Sequence, residues 1–73
     1  MDRLALTKEL KSAGVNDSAI SFSLRNDKYC IVEIGKSWVV TFSERGEETY
    51  RKEFNSEDEV CRHVFGLLTR ANT

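Results

Sequence analysis

Three turn signals divide the middle of this chain into pieces short enough to be strands. Arg25-Asn26-Asp27, Gly35-Lys36-Ser37 and Glu44-Arg45-Gly46-Glu47 hold the residue types that tight reversals need, with Gly46 supplying a positive φ. Residues 28–34, 38–42 and 49–54 lie between and after them, rich in β-branched and aromatic side chains. Connections this short join neighbouring strands, so the pattern predicts an antiparallel meander. Upstream, Ile20, Phe22 and Leu24 alternate with Ser21 and Ser23, which predicts one more strand with a single buried face. In residues 28–34, Tyr29 and Ile31 point one way and Cys30, Val32 and Ile34 the other. Apolar character on both faces predicts a central strand. Tyr50 and Phe54 share a face opposite charged Arg51 and Glu53.

A helix is expected on each side of the meander. Leu6, Leu10 and Ala13 fall at i, i+4 and i+7, with Leu4 on the flank, predicting a helix over about residues 2–13. Gly14 stops it, and Leu10 with Val15 supplies the apolar contact of a Schellman motif. Ser56-Glu57-Asp58-Glu59 is a capping box, S-x-x-E, opening the last helix. Its acids complement the helix dipole, as Arg70 does near the other end. Val60, Cys61, Val64, Phe65 and Leu68 make its apolar stripe, with Leu67 beside it. Gly66 within that helix costs about 1 kcal/mol relative to alanine, and close approach to the sheet is the expected reason. The fold class is therefore α+β: an N-terminal helix, an antiparallel meander of three to four strands, and a C-terminal helix packed on the sheet. Residues 1–73 form a single domain.

Size and charge narrow what such a domain does. A chain of 73 residues buries only about 60% of its unfolded surface, leaving little room for a deep catalytic cavity. Eleven Lys+Arg against twelve Asp+Glu give a net charge of -1, and the pI is near 5.8. That balance lacks the basic excess of a nucleic-acid binder and argues against one. No apolar run approaches the roughly 18 residues that span a bilayer, and the start lacks signal-peptide order. A cytoplasmic protein with no membrane association is expected.

The residues that could carry chemistry have simpler readings. Gly35-Lys36-Ser37 resembles the end of a phosphate-binding loop, but Cys30 stands where a glycine is required and a strand follows in place of a helix. Cys61 and His63 are two apart, on different sides of a helix, and no C-x-x-C exists, so neither a metal nor a cofactor is expected. Both cysteines read as small buried hydrophobes, and a Cys30–Cys61 disulfide would be disfavoured in a reducing compartment. His63 reads as a solvated side chain paired with Glu59 one turn earlier. These readings predict a protein that is not an enzyme.

Charge is distributed unevenly. Residues 44–59 hold seven acids against Arg45, Arg51 and Lys52, a net of -4, while residues 1–43 carry +1 and residues 60–73 carry +2. Such a stretch is either a solvated face or a docking patch for a basic partner. The candidate partner-binding residues are Glu44, Arg45, Glu47, Glu48, Glu57 and Asp58. Trp38 joins them as core or hot spot.

Tyr29-Cys30, the Trp38-Val39-Val40 strand, Ser43-Glu44-Arg45-Gly46 and Phe54-Asn55-Ser56-Glu57-Asp58-Glu59-Val60-Cys61 occur in an order similar to a small bacterial domain family. The leading helix ending Ala13-Gly14-Val15 is similar too. That family is found among immunity proteins of polymorphic-toxin loci. The resemblance implies a cytoplasmic protein that neutralises a cognate toxin by tight, non-catalytic binding. An acidic surface suits a toxin with a basic cleft, such as a nuclease. Two other classes stay open: a structural module acting by homodimerisation or sheet-edge pairing, and a weak nucleic-acid-binding regulator using Arg25, Lys28 and Lys36.

Overall fold

A computed structural model describes residues 1–70. The chain runs α1 (Arg3–Ser12), a single 3-10 turn (Asp17–Ala19), β1 (Ile20–Ser21), β2 (Tyr29–Ile34), β3 (Ser37–Glu44), β4 (Glu47–Phe54) and α2 (Glu57–Arg70). The four strands form one sheet in sequential order. β2, β3 and β4 are the expected antiparallel meander, with Ile34 opposite Ser37 and Glu44 opposite Glu47 at the two hairpins.

Local chemistry accounts for the boundaries. Asp2 caps α1 by accepting from the Ala5 N–H at 2.8 Å. The Schellman stop forms as the sequence dictates: Val15 N–H reaches the Leu10 carbonyl at 2.8 Å, Gly14 N–H reaches that of Lys11 at 3.1 Å, and Gly14 has φ 81°. At α2, Ser56 Oγ accepts from the Glu59 N–H at 3.2 Å, which is half of the expected capping box. The Glu59 carboxylate does not return to the Ser56 backbone. It accepts from the Ser56 hydroxyl instead, at 3.3 Å.

Both helices lie on one face of the sheet. Leu6 and Leu10 of α1 and Val60, Cys61 and Val64 of α2 close over Ile20, Ile31, Trp38 and Val40. Each fully buried aliphatic side chain here contributes on the order of 1.5–3 kcal/mol. The opposite face carries Cys30, Val32, Ile34, Val39 and Thr41; no helix among the described residues packs on it, although Cys30, Val39 and Thr41 are buried there. The thiols therefore sit on opposite sides of the sheet, Cys30 on the bare face and Cys61 under the helices, and both are free and buried. The sheet itself keeps them apart.

Two expectations about the first strand and its neighbour are corrected. The run from Ile20 to Leu24 pairs only at Ile20 and Ser21, and it pairs parallel to β2, so the sheet is mixed. Ser21 ends the strand by competing for main-chain groups: its hydroxyl donates to the Ser23 carbonyl at 2.8 Å and accepts the Ser23 N–H at 3.2 Å. The chain bends there, leaving Phe22 and Leu24 exposed. Seven residues then carry it back to the start of β2, far fewer than the dozen or more usual between parallel strands. That loop is held against the bare face by Cys30, whose Sγ accepts from the Arg25 N–H and donates to the Arg25 carbonyl, each at 3.2 Å. β2 is consequently a central strand only at Tyr29 and Cys30, and Ile34 at its end is 52% exposed.

Gly66 is the third correction. A Cβ built there meets nothing within 4 Å, so no close approach to the sheet requires glycine.

Candidate functional site

The β3–β4 turn is a two-residue hairpin, with Glu44 paired to Glu47. Arg45 has φ 53° and Gly46 has φ 80°, the two positive values that a two-residue type I′ hairpin demands. Gly46 takes this conformation without strain. Arg45 carries a β-carbon and does not, at a cost of roughly 1 kcal/mol. The 22–28 loop braces the tip from the side. Asn26 Oδ1 accepts from the Gly46 N–H at 3.0 Å, and the Asp27 N–H donates to the Ser43 carbonyl at 2.7 Å.

The expected acidic residues do not form one patch. Glu44 and Glu47 face each other across the turn, both exposed and, among the described residues, without an ion-pair partner. Glu48 stands beside Arg51 at 3.7 Å. Glu57 and Asp58 lie at the other end of β4, whose seven residue steps span about 23 Å. They are also already engaged. Glu57 Oε2 accepts from the Arg3 N–H at 2.9 Å and from Arg3 Nε at 3.2 Å. Asp58 takes the Met1 amine and Arg62 Nε, the latter at 2.8 Å. Hydrogen bonds from that amine and from Arg62 hold its carboxyl below the usual range. These two acids tie the start of α1 to the start of α2.

Trp38 belongs to the core, 8% exposed, with the Arg3 guanidinium 5.1 Å from its ring and 5.9 Å from that of Phe22. It backs the helix junction.

His63 departs from expectation. It is half-buried and bonded to the Tyr50 hydroxyl at 2.6 Å, with Phe54 5.0 Å away, while Glu59 is occupied by Ser56. Tyr29 meets Phe42 at 4.9 Å and Tyr50 at 6.1 Å, so one aromatic cluster links the sheet to α2. Burial, then Lys52 and Arg70, lower the His63 pKa, and burial followed by Tyr29 raises that of Tyr50, so both are neutral near pH 7. Cys61 is further from reactivity, since burial and then Glu57 push its thiol up to about 11.

Among the described residues there is no group of three or more His, Cys, Asp or Glu that could hold a metal ion, and no helix is long and apolar enough to cross a membrane. A surface hollow of about 300 Å³ lies between the end of α1 and the 3-10 turn, lined by Thr7, Lys11, Val15, Asn16 and Asp17. The Thr7 hydroxyl that lines it donates to the Arg3 carbonyl at 2.9 Å. Comparison with models of known protein families, with curated proteins and with solved structures finds no match to this chain.

Proposed function

We propose that this chain is a small cytoplasmic binding protein of the immunity kind, which neutralises a cognate bacterial toxin by occupying it without catalysis. One observation carries the reading. The hairpin tip presents Glu44 and Glu47 without ion-pair partners among the described residues, a net charge of -1 with Arg45 between them, on a turn that is braced by Asn26 and Asp27 and holds Arg45 in a strained conformation. A rigid, negatively charged projection is suited to a basic cleft, where complementary potential steers encounter. Pre-organisation lowers the entropy lost on docking. The side chains that catalysis would recruit are committed elsewhere: His63 to Tyr50, and both thiols to the interior.

The proposal narrows the expected patch to residues 44–47, with Glu48 at its margin and Glu57 and Asp58 removed to a structural role. Co-expression with a toxin domain, sought in the reading frames that neighbour this one, tests it. A stable one-to-one complex that abolishes toxicity is the expected result. Turnover of a small molecule by the purified chain, lost on replacing His63, would overturn it.

A further inference from the structure

The outer edge of β4 carries a charge order that is complementary to itself. Read along the strand, Glu47 and Glu48 are followed by Thr49 and Tyr50 and then by Arg51 and Lys52. An antiparallel second copy with Thr49 opposite Tyr50 would set Glu48 against Arg51 and Glu47 against Lys52. The two-fold axis repeats each pair, giving four opposite-charge contacts.

Sheet geometry imposes a further condition, which the bulge satisfies. Residues directly opposite in an antiparallel ladder must lie on the same face, and in a regular strand positions three apart lie on opposite faces. Here the register slips between Phe42 and Ser43, so that Tyr50 pairs with Phe42 and Glu48 with Ser43, leaving Thr49 as the extra residue. Glu48 and Arg51 are thereby returned to one face, as their 3.7 Å approach shows. The same step puts Glu47 and Lys52 together on the helix-covered face. The Glu48–Arg51 pair is exposed, and Arg51 also meets Glu53 at 3.5 Å, so exchanging the first for an intermolecular pair costs little.

The geometry points to the β4 edge as a self-recognition surface: two copies pair β4 to β4 antiparallel, forming a continuous eight-stranded sheet with all four helices on one side. Charged edges usually prevent such pairing because like charges meet. This one places unlike charges opposite only for its own copy in this register. The pairing concerns the chain alone and does not depend on the toxin reading.

The test is a charge swap, read by sedimentation velocity on the purified protein at 10 µM to 1 mM (roughly two decades around the weak end of specific association). Wild type is expected to dimerise, more weakly at high salt. Glu47→Lys/Glu48→Lys and Arg51→Glu/Lys52→Glu are each expected to lose at least tenfold in self-association, since the four paired positions of each edge then carry one sign. Mixing the two variants should restore a dimer, now mixed. Circular dichroism confirms that both fold. Arg51 and Lys52 take no part in the proposed tip, so loss of dimer in their variant separates this surface from toxin binding. A wild type that stays monomeric throughout, or a dimer that both swaps leave intact, overturns the inference.

Discussion

The Tyr50 hydroxyl and His63 Nε2 lie 2.6 Å apart, bonding the sheet to the helix that covers it across thirteen residues of sequence. The rings are parallel within 5°, and Phe54 closes the other side of the imidazole. Protonating His63 in the folded chain places a cation in this aromatic setting, facing Lys52 from β4 and Arg70 from its own helix. Its folded pKa is therefore lower than the unfolded value of about 6.5. The unfolded chain binds the proton first, so stability is fully present above that value and falls as the pH drops through it. The decline ends once the pH is below the folded pKa. Urea midpoints measured from pH 8 to pH 5 should decrease, and His63→Gln should flatten the decrease in this window. An equal slope in the variant would remove the assignment.

Gly66 is a stability reserve. It sits inside α2 with negative φ and open space where a β-carbon would stand. Gly66→Ala removes unfolded-chain entropy without a clash and should add about 1 kcal/mol. For a domain of this size that corresponds to a melting temperature higher by roughly 4–8 °C. Calorimetry showing no gain would mean that the helix needs the glycine for something its surroundings do not reveal.

Thr41 offers a second. Its hydroxyl is buried at the centre of β3, between Cys30 and Arg51 in register, with no hydrogen-bond partner. Thr41→Val exchanges an unsatisfied polar atom for a methyl group of similar size. The expected gain is about 1 kcal/mol, read as a higher urea midpoint with unchanged slope.

Local signals in the sequence were sufficient wherever the deciding partner lay within a few residues. Leu10, Gly14 and Val15 specify the end of α1 among themselves, and Ser56 with Glu59 specifies the start of α2. The hairpins at Gly35 and Gly46 are equally local. Signals failed where a distant group decided. Alternation from Ile20 to Leu24 predicts a five-residue strand, yet the Ser21 hydroxyl captures the Ser23 backbone and Cys30 draws the following loop underneath. His63 looked solvated because its own helix offers Glu59, whereas Tyr50 comes from another element. One signal was present: His63 is three residues from Val60 and four from Leu67, inside the flank of the apolar stripe. The acids of residues 44–59 formed a patch on paper because sequence proximity ignores the length of β4.

Neither thiol should react with a water-soluble reagent in the native state. Cys61 is fully buried with its pKa pushed up to about 11 by that burial, so thiolate is scarce while the site stays closed. Cys30 is fully buried beneath the 22–28 loop. Labelling by a disulfide reagent at pH 8 should be slow in buffer and complete in denaturant. Because the loop is the lesser barrier, mass spectrometry of partial labelling should find Cys30 modified before Cys61. The reverse order would mean that the helix pair opens more readily than the loop.

The two ends of β4 should behave differently towards a partner. Glu44→Lys with Glu47→Lys reverses charge on the braced turn without touching any ion pair among the described residues, so the chain should fold as before. If the chain acts as proposed, association with the toxin should slow by about tenfold or more at low salt, and its dependence on ionic strength should weaken. Glu57→Gln with Asp58→Asn breaks contacts to Arg3, Met1 and Arg62 at the helix junction. That variant should lose stability and keep its association rate, because its charges lie beyond the far end of β4 from the tip. Stopped-flow kinetics of the two variants at several salt concentrations separates the cases. Slowing confined to the junction variant would relocate the contact to the helix starts, and equal slowing in both would show that only net charge is read.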